Sequence, residues 1–197
     1  MKQKFRIAIF ASGSGSNAEE IAKFFRDHSS IKVAVIGSNN PKALVLDRAN
    51  RLGIPTKVFN REEFVSTTVV DWLQENRITH IVLAGFLWLI PPSILKAYPD
   101  KIINIHPALL PKFGGKGMYG MKIHELVRTL KEKETGITIH LINEKYDEGP
   151  ILYQGKCDVL ETDTPEQIAH KVHQLEYAWY PKVIEKWVLA EIDSLSL

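Results

Sequence analysis

Apolar residues in the first half of the chain fall into short consecutive runs separated by longer stretches with helical spacing. Ile7-Ala8-Ile9-Phe10-Ala11, Val33-Ala34-Val35-Ile36 and Ile81-Val82-Leu83-Ala84 are such runs. An unbroken apolar run of this length suits a strand covered on both faces. The pattern predicts strands over residues 6–11, 32–37, 56–59 and 80–84. Between them, residues 17–28 put Ile21, Phe24 and Phe25 on one side of a helix. Residues 41–52 begin with Pro41, suited to a first helical position, and stop before Gly53, suited to a C-terminal cap. Residues 61–76 place Phe64, Val65, Val69, Trp72 and Leu73 at helical spacing, predicting one helix. Strand and helix alternate, which predicts a parallel sheet with right-handed crossovers.

The second half is less regular. Pro91-Pro92 interrupts the chain and opens a short helix to Tyr98. Residues 101–105 form a strand that runs into His106-Pro107, and a glycine-rich stretch from Gly114 to Gly120 precedes a helix ending near Lys133. Residues 136–142 and 151–159 read as two antiparallel strands around a polar turn with Gly149-Pro150. A last helix covers 164–189, with Thr164 as cap, Pro165 at the first helical position and Gln167 completing a capping box. No repeat, low-complexity tract or linker interrupts this order. The expectation is one α/β domain over 1–197. It would be an open, mostly parallel twisted sheet with helices on both faces and an antiparallel C-terminal edge.

Composition narrows the class. The 197 residues are 45% hydrophobic and 24% charged, with 12 Gly and 10 Pro, which excludes a disordered or fibrous chain. Twenty-five basic against 23 acidic residues give no electrostatic footprint for nucleic acid. The single Cys157 cannot form an internal disulfide. The longest apolar run, 81–92, falls short of the roughly 20 residues needed to cross a bilayer. The basic N-terminus followed by 7–11 resembles the start of a signal peptide, but Ser12-Gly13 ends the apolar stretch too soon. A buried first strand, no membrane partner and a cytoplasmic location are expected.

Three segments carry candidate chemistry. Ser12-Gly13-Ser14-Gly15-Ser16-Asn17 joins the first strand to the first helix. Its glycines allow close backbone approach, and free amides at a helix start bind anions. The alternative is a tight turn with a Ser or Asn cap. Gly13, Gly15 and Ala18 also fit the loose dinucleotide pattern, but the second strand ends Gly37-Ser38-Asn39-Asn40, without the carboxylate that ribose hydroxyls require. A single phosphate is therefore favoured over a dinucleotide. In Asn104-Ile105-His106-Pro107, the two-residue spacing puts Asn104 and His106 on one face of an extended segment. An amide can donate to a developing oxyanion and an imidazole can exchange protons near neutral pH. Alternatively, the pair holds a turn. Asp147, in Lys145-Tyr146-Asp147-Glu148-Gly149-Pro150, is either a solvated turn residue or a carboxylate that keeps a nearby histidine protonated.

Among the other histidines, His80 reads as structural, His140 as facing the sheet surface and His28 as exposed, whereas His124 and His173 on helices are ambiguous. No pair has metal-ligand spacing, so no metal is expected. Trp72, Trp179 and Trp187 are expected to pack, and Trp88 either packs or lines a pocket.

Together these motifs resemble the phosphoribosylglycinamide formyltransferases of purine synthesis over nearly the whole chain. The likeness rests on Ser12 to Asn17, Leu83-Ala84-Gly85-Phe86, Asn104-Ile105-His106-Pro107-Ala108-Leu109-Leu110-Pro111 and Gly136-Ile137-Thr138-Ile139-His140. It extends through Asp147-Glu148-Gly149-Pro150 and Glu176-Tyr177-Ala178-Trp179-Tyr180-Pro181. The resemblance implies a formyltransferase fold and transfer of a formyl group from 10-formyltetrahydrofolate, the cosubstrate, to the amine of glycinamide ribonucleotide. It assigns oxyanion stabilisation to Asn104 and His106, with His106 as the acid. Asp147 would hold His106 charged and relay a proton. The ribonucleotide would sit on Gly15, Ser16, Asn17, His173 and Glu176. The folate would lie against Leu87, Trp88, Leu89, Ile90, Asn104, Asn143, Glu144 and Asp147, with Arg61 reaching it. The ribonucleotide part would span about 1–100 and the folate-binding and catalytic part about 80–160. A monomer or a homodimer would serve.

The chain departs from the family in two places. Residues 114–125 are about three longer than the usual G-x-H-x-H-[ER] stretch, with Lys122 where the first His is common, and Trp88 stands where a polar or basic residue is frequent. Two relatives share the core. A methionyl-tRNA formyltransferase would need a further C-terminal RNA-binding domain, and a 10-formyltetrahydrofolate hydrolase an N-terminal regulatory domain; neither is expected here. A non-catalytic nucleotide-sensing domain is the third alternative.

Overall fold

A computed structural model describes residues 5–194, with 191–194 as helix backbone only. The basic residues 1–4 and the end of the expected 1–197 domain lie outside the described residues. Seven strands form one sheet: β1 (Phe5–Phe10), β2 (Ile31–Ser38), β3 (Thr56–Val58), β4 (His80–Leu83), β5 (Ile102–His106), β6 (Glu134–Leu141) and β7 (Ile151–Asp158). Their order is β3-β2-β1-β4-β5-β6-β7. β1 to β5 are mutually parallel, whereas β6 and β7 add antiparallel to that edge. This is the expected α/β architecture.

Consecutive residues of a strand point to opposite faces, and both faces are covered. Ile7, Ile9, Val82, Ile103 and Ile105 pack under α1 (Ser16–Phe24), α2 (Leu44–Arg51) and α7 (Pro165–Ser194), against Ile21, Val45, Val172 and Tyr180. Ala8, Phe10, Ile81, Leu83 and Ile102 pack on the other side. That layer contains α3 (Arg61–Val65), α4 (Thr68–Glu75) and α5 (Pro92–Ala97), through Phe64, Leu73 and Ile94. α6 (Met121–Thr129) meets α7 through Ile123, Val127 and Ile168.

Several element boundaries differ from the pattern, each for a local reason. The helix expected over 61–76 is two. Ser66 is extended, and its hydroxyl bonds Glu63 O and Thr68 Oγ1, each at 3.0 Å, diverting the backbone from the helix. α3 has a complete capping box between Asn60 and Glu63. α2 starts at Leu44 rather than Pro41, because the Asn40 side chain accepts from Lys42 N in a turn. α6 stops at Thr129, short of Lys133, and Lys131 turns left-handed with φ 52°. The capping box at Thr164 and Gln167 forms as expected. α7 continues through Pro181 despite the missing N–H, since Tyr180, Ile184 and Val188 on both sides of it bury fully against the sheet.

Strand order reverses beside β1, whose neighbours β2 and β4 lead to opposite edges of the sheet. In open α/β sheets ligands bind outside the strand C-termini at such a point. The loops after β1, β4 and β5 all leave there.

Candidate active site

The cleft at these strand ends encloses about 710 Å³, within the roughly 300–1,000 Å³ of small-molecule sites. One wall is the loop from Ser12 to Asn17. Gly15 caps α1 in a left-handed conformation, φ 73°. A Cβ there would lie 2.4 Å from the Cβ of Val45, so glycine lets α1 and α2 close together beneath the loop. The first N–H groups of α1 have no partner within the helix, an arrangement that suits an anion. Ser12 ties this wall to the next, because its Oγ accepts from Leu87 N at 3.0 Å. The Leu83 to Ile90 segment forms that second, apolar wall. Trp88 both packs and lines the cleft, resting on Phe59, Phe64 and Phe86.

The base of the cleft is polar. β5 pairs with β6 so that Asn104 lies opposite His140, and His106 opposite Thr138. Directly opposed residues share a sheet face. Thr138 holds the chain beyond His106, accepting from Leu110 N at 3.0 Å and donating to Ala108 O at 2.7 Å. His106 is 3% exposed; its Nε2 donates to Phe113 O at 2.7 Å and its Nδ1 lies 3.5 Å from Asp147 Oδ2. Asp147 Oδ1 lies 3.6 Å from His140 Nε2, and Asp147 Oδ2 accepts from Gly115 N at 2.9 Å. Asp147 itself adopts φ 56°, a left-handed conformation that aspartate tolerates. Asn104 Nδ2 is 3.3 Å from His140 Nε2. The three residues singled out in the sequence therefore converge.

Their electrostatics correct one expectation. Burial pushes the His106 pKa below its ordinary value, and it outweighs the upward pulls of the Asp147 charge and the Phe113 carbonyl. Asp147 therefore raises the His106 pKa without overcoming burial, so it does not by itself keep this imidazole charged. Burial also pushes Asp147 upward, but the interactions with His140, His106 and Gly115 N–H together hold it below the usual carboxylate value. A carboxylate held below its usual pKa thus faces an imidazole whose charged form burial disfavours.

The third wall comes from α6 and α7. Glu176, 4% exposed, accepts on Oε2 from Asn17 Nδ2 at 2.9 Å and from His173 Nδ1 at 2.8 Å, joining α7 to the anion loop. That bond to Glu176 raises the His173 pKa against the effect of burial. Gly15, Ser16, Asn17, Leu87, Trp88, Leu89, Ile90, Asn104, His106, Asp147, His173 and Glu176 all line the cleft. Arg61, Asn143 and Glu144 do not. The Arg61 guanidinium lies over the Trp88 ring, 5.0 Å from its centre, and Asn143 Oδ1 caps Lys145 N at 2.9 Å. Sequence reasoning missed the wall from Gly115 to Met121 and left His124 undecided.

His124 is 3% exposed with Nδ1 unpartnered, and burial together with the nearby His173 charge lowers its pKa to about 4. The unfolded chain takes up this proton at the model-compound value of 6.5, the folded chain only near 4. Its stability contribution is therefore full above pH 6.5 and lost as pH falls, reaching about 3 kcal/mol by linkage. Thermal midpoints of wild type and His124→Leu, measured from pH 7 to 4, should diverge in that window, with the wild type falling faster. Parallel curves would contradict the assignment.

The doubly covered sheet, the switch-point cleft and the Asn-His-Asp cluster define a class, and comparison with known proteins agrees. The formyl transferase family profile matches residues 5–184. The chain belongs to the formyl transferase family. It is 36% identical over 187 residues to phosphoribosylglycinamide formyltransferase of Bacillus subtilis, covering 92% of this chain and 93% of that one. It is 38% identical to the chloroplastic phosphoribosylglycinamide formyltransferase of Arabidopsis thaliana, covering 91% of this chain. It spans 64%, less than two thirds, of that plant protein's length. The crystal structure of phosphoribosylglycinamide formyltransferase from Bacillus halodurans superposes with a TM-score of 0.84 at 36% identity, covering 95% of this chain and 96% of that one.

Proposed function

We propose that this protein transfers the formyl group of 10-formyltetrahydrofolate to the amine of 5'-phosphoribosylglycinamide, giving the formylated ribonucleotide and tetrahydrofolate. The observation that carries this reading is that one cleft joins the Ser12 to Asn17 loop, an apolar wall and the Asn104, His106 and Asp147 cluster. A reaction between a phosphorylated amine and a pterin-bearing formyl donor needs those three parts.

On this reading the ribonucleotide phosphate rests on the amides and side chains of Gly15, Ser16 and Asn17, with His173 and Glu176 against the remainder. The pterin lies along Leu87, Trp88, Leu89 and Ile90, between them and the 143–147 turn, where Asn143 and Glu144 shape the backbone. Arg61, held on Trp88, sits at the outer edge for the anionic tail. The ribonucleotide side thus draws on α7 as well as residues 1–100, whereas the folate side falls within 80–160 apart from Arg61. The amine attacks the formyl carbon and a C–N bond forms. Asn104 and His106 stabilise the resulting oxyanion. Asp147 accepts the amine proton and passes it to the facing His106 Nδ1, 3.5 Å away, so that His106 becomes imidazolium. The C–N bond to folate then breaks as the departing nitrogen takes a proton from His106. No nucleophilic side chain is required. All these groups come from one chain, so a monomer or a homodimer serves. Among the described residues no helix is long and apolar enough to cross a membrane; the reading places the reaction in the cytoplasm.

The His173 imidazolium adds positive charge against the anionic ribonucleotide. Because its pKa is raised, mainly by the hydrogen bond to Glu176, the proton is present at pH 6.5 and lost as pH rises through the raised value. KM for the ribonucleotide should therefore climb between pH 6.5 and 9, while His173→Gln gives a flat profile. A pH-independent wild-type KM would remove His173 from the ribonucleotide site.

The reading is tested by following deformylation of the 10-formylfolate by absorbance, with and without the ribonucleotide. Turnover only with the ribonucleotide is expected. An equal rate without it would make the protein a hydrolase, and no turnover in either case would make it a nucleotide-sensing domain.

A further inference from the structure

His140 was expected to do no more than face the sheet surface, yet it is fully buried directly opposite Asn104. Its Nδ1 lies 2.9 Å from Leu141 O. A carbonyl oxygen only accepts, so Nδ1 donates to it, and Nε2 faces two groups: the Asn104 amide nitrogen within hydrogen-bond distance and Asp147 Oδ1 beyond it at 3.6 Å, which leaves Nε2 to accept from the amide. That acceptor is 3.3 Å from the Asn104 amide nitrogen. One Asn104 N–H is therefore committed to His140, and the planarity of the amide fixes the second N–H and the carbonyl oxygen with it. We infer that His140 is the positioning residue that makes Asn104 an oxyanion donor, by fixing which end of its amide the cleft receives. Without that acceptor the amide is free to rotate by half a turn. Its oxygen would then face the developing negative charge, turning an attraction into a repulsion. The relay runs from the Leu141 carbonyl through the imidazole to the amide, and it rests on the cross-strand register of β5 and β6 rather than on any mobile loop.

This inference depends on the formyl-transfer reading, and a double-mutant cycle separates the two. His140→Leu should lower kcat for transfer to the ribonucleotide about 10–100-fold, less than the full loss of an oxyanion donor, with both KM values unchanged. In an Asn104→Ala background the same replacement should change kcat less than about twofold, since there is no amide left to orient. His140→Gln, whose Oε1 can accept from Asn104, should restore part of the rate. It also keeps the cycle interpretable if the leucine variant folds poorly. Equal fold-losses in both backgrounds, or a glutamine variant no better than leucine, would reduce His140 to a packing residue and overturn the inference. Absence of formyl transfer by the wild type would instead overturn the reading beneath it.

Discussion

His106→Ala should lower kcat for formyl transfer by about 10²–10⁴-fold, the range for losing a general acid that also polarises the oxyanion. The melting midpoint and both KM values should stay near those of the wild type. The split between kcat and KM follows from where the side chain sits. His106 lies at the base of the cleft, with Nε2 on Phe113 O and Nδ1 facing Asp147. The anion loop that would hold the phosphate is built separately, from the β1 to α1 turn and α7. The apolar wall along Leu87 to Ile90 is likewise independent of the imidazole. Steady-state kinetics with circular dichroism checks this. A folded variant with wild-type kcat would remove His106 from the chemistry, whereas a raised KM with unchanged kcat would make it only a binding residue.

Gly15→Ala should act on the opposite end of the cleft. The added methyl meets Val45 Cβ and Cγ2 at 2.4 Å and Val45 Cα at 2.7 Å, on a backbone already at φ +73°. The side-chain atoms are rooted in a fully buried residue of α2 and have little room to move. Steric overlap and left-handed strain together should cost about 2–4 kcal/mol. For a chain of this size that lowers the melting midpoint by roughly 4–16 °C. The overlap is relieved by pushing α1 away from α2, which splays the amides at the start of α1. KM for the ribonucleotide should then rise at least about tenfold, since phosphate binding depends on converging N–H groups, while KM for the folate holds. Scanning calorimetry and substrate titrations read both effects. A stable variant with an unchanged ribonucleotide KM would place the phosphate elsewhere.

The parts of this molecule that could be read from the sequence are those written in local pattern. Unbroken apolar runs specify doubly covered strands, and the alternation with helices specifies a parallel sheet. The hexapeptide after β1 and the Asn104-Ile105-His106 spacing each point to chemistry with a plain turn as the alternative, and both segments line the cleft. The helix break at Ser66 is not legible in the sequence, because the apolar spacing runs on across 61–76, whereas the hydrogen bonds from the Ser66 hydroxyl to Glu63 O and Thr68 Oγ1, which divert the backbone, form only in the fold. What stayed hidden was pairing. That His140 faces Asn104 depends on the register of β6 against β5, which no single strand encodes. That Asp147 reaches His106 depends on a hairpin returning through a left-handed residue to meet Gly115. The direction of the His106 pKa shift is not legible either, because a carboxylate neighbour is visible as a motif, whereas burial, the larger influence, emerges only with the fold.

The central claim is that the one-carbon unit passes directly between two molecules held in this cleft. The measurement that bears on it most closely uses 10-formyltetrahydrofolate labelled with carbon-13 in the formyl group, with carbon NMR of the products. The expected result is a labelled formamide on the ribonucleotide, formed in step with tetrahydrofolate and without labelled formate. Labelled free formate, at a rate indifferent to the ribonucleotide, would contradict it.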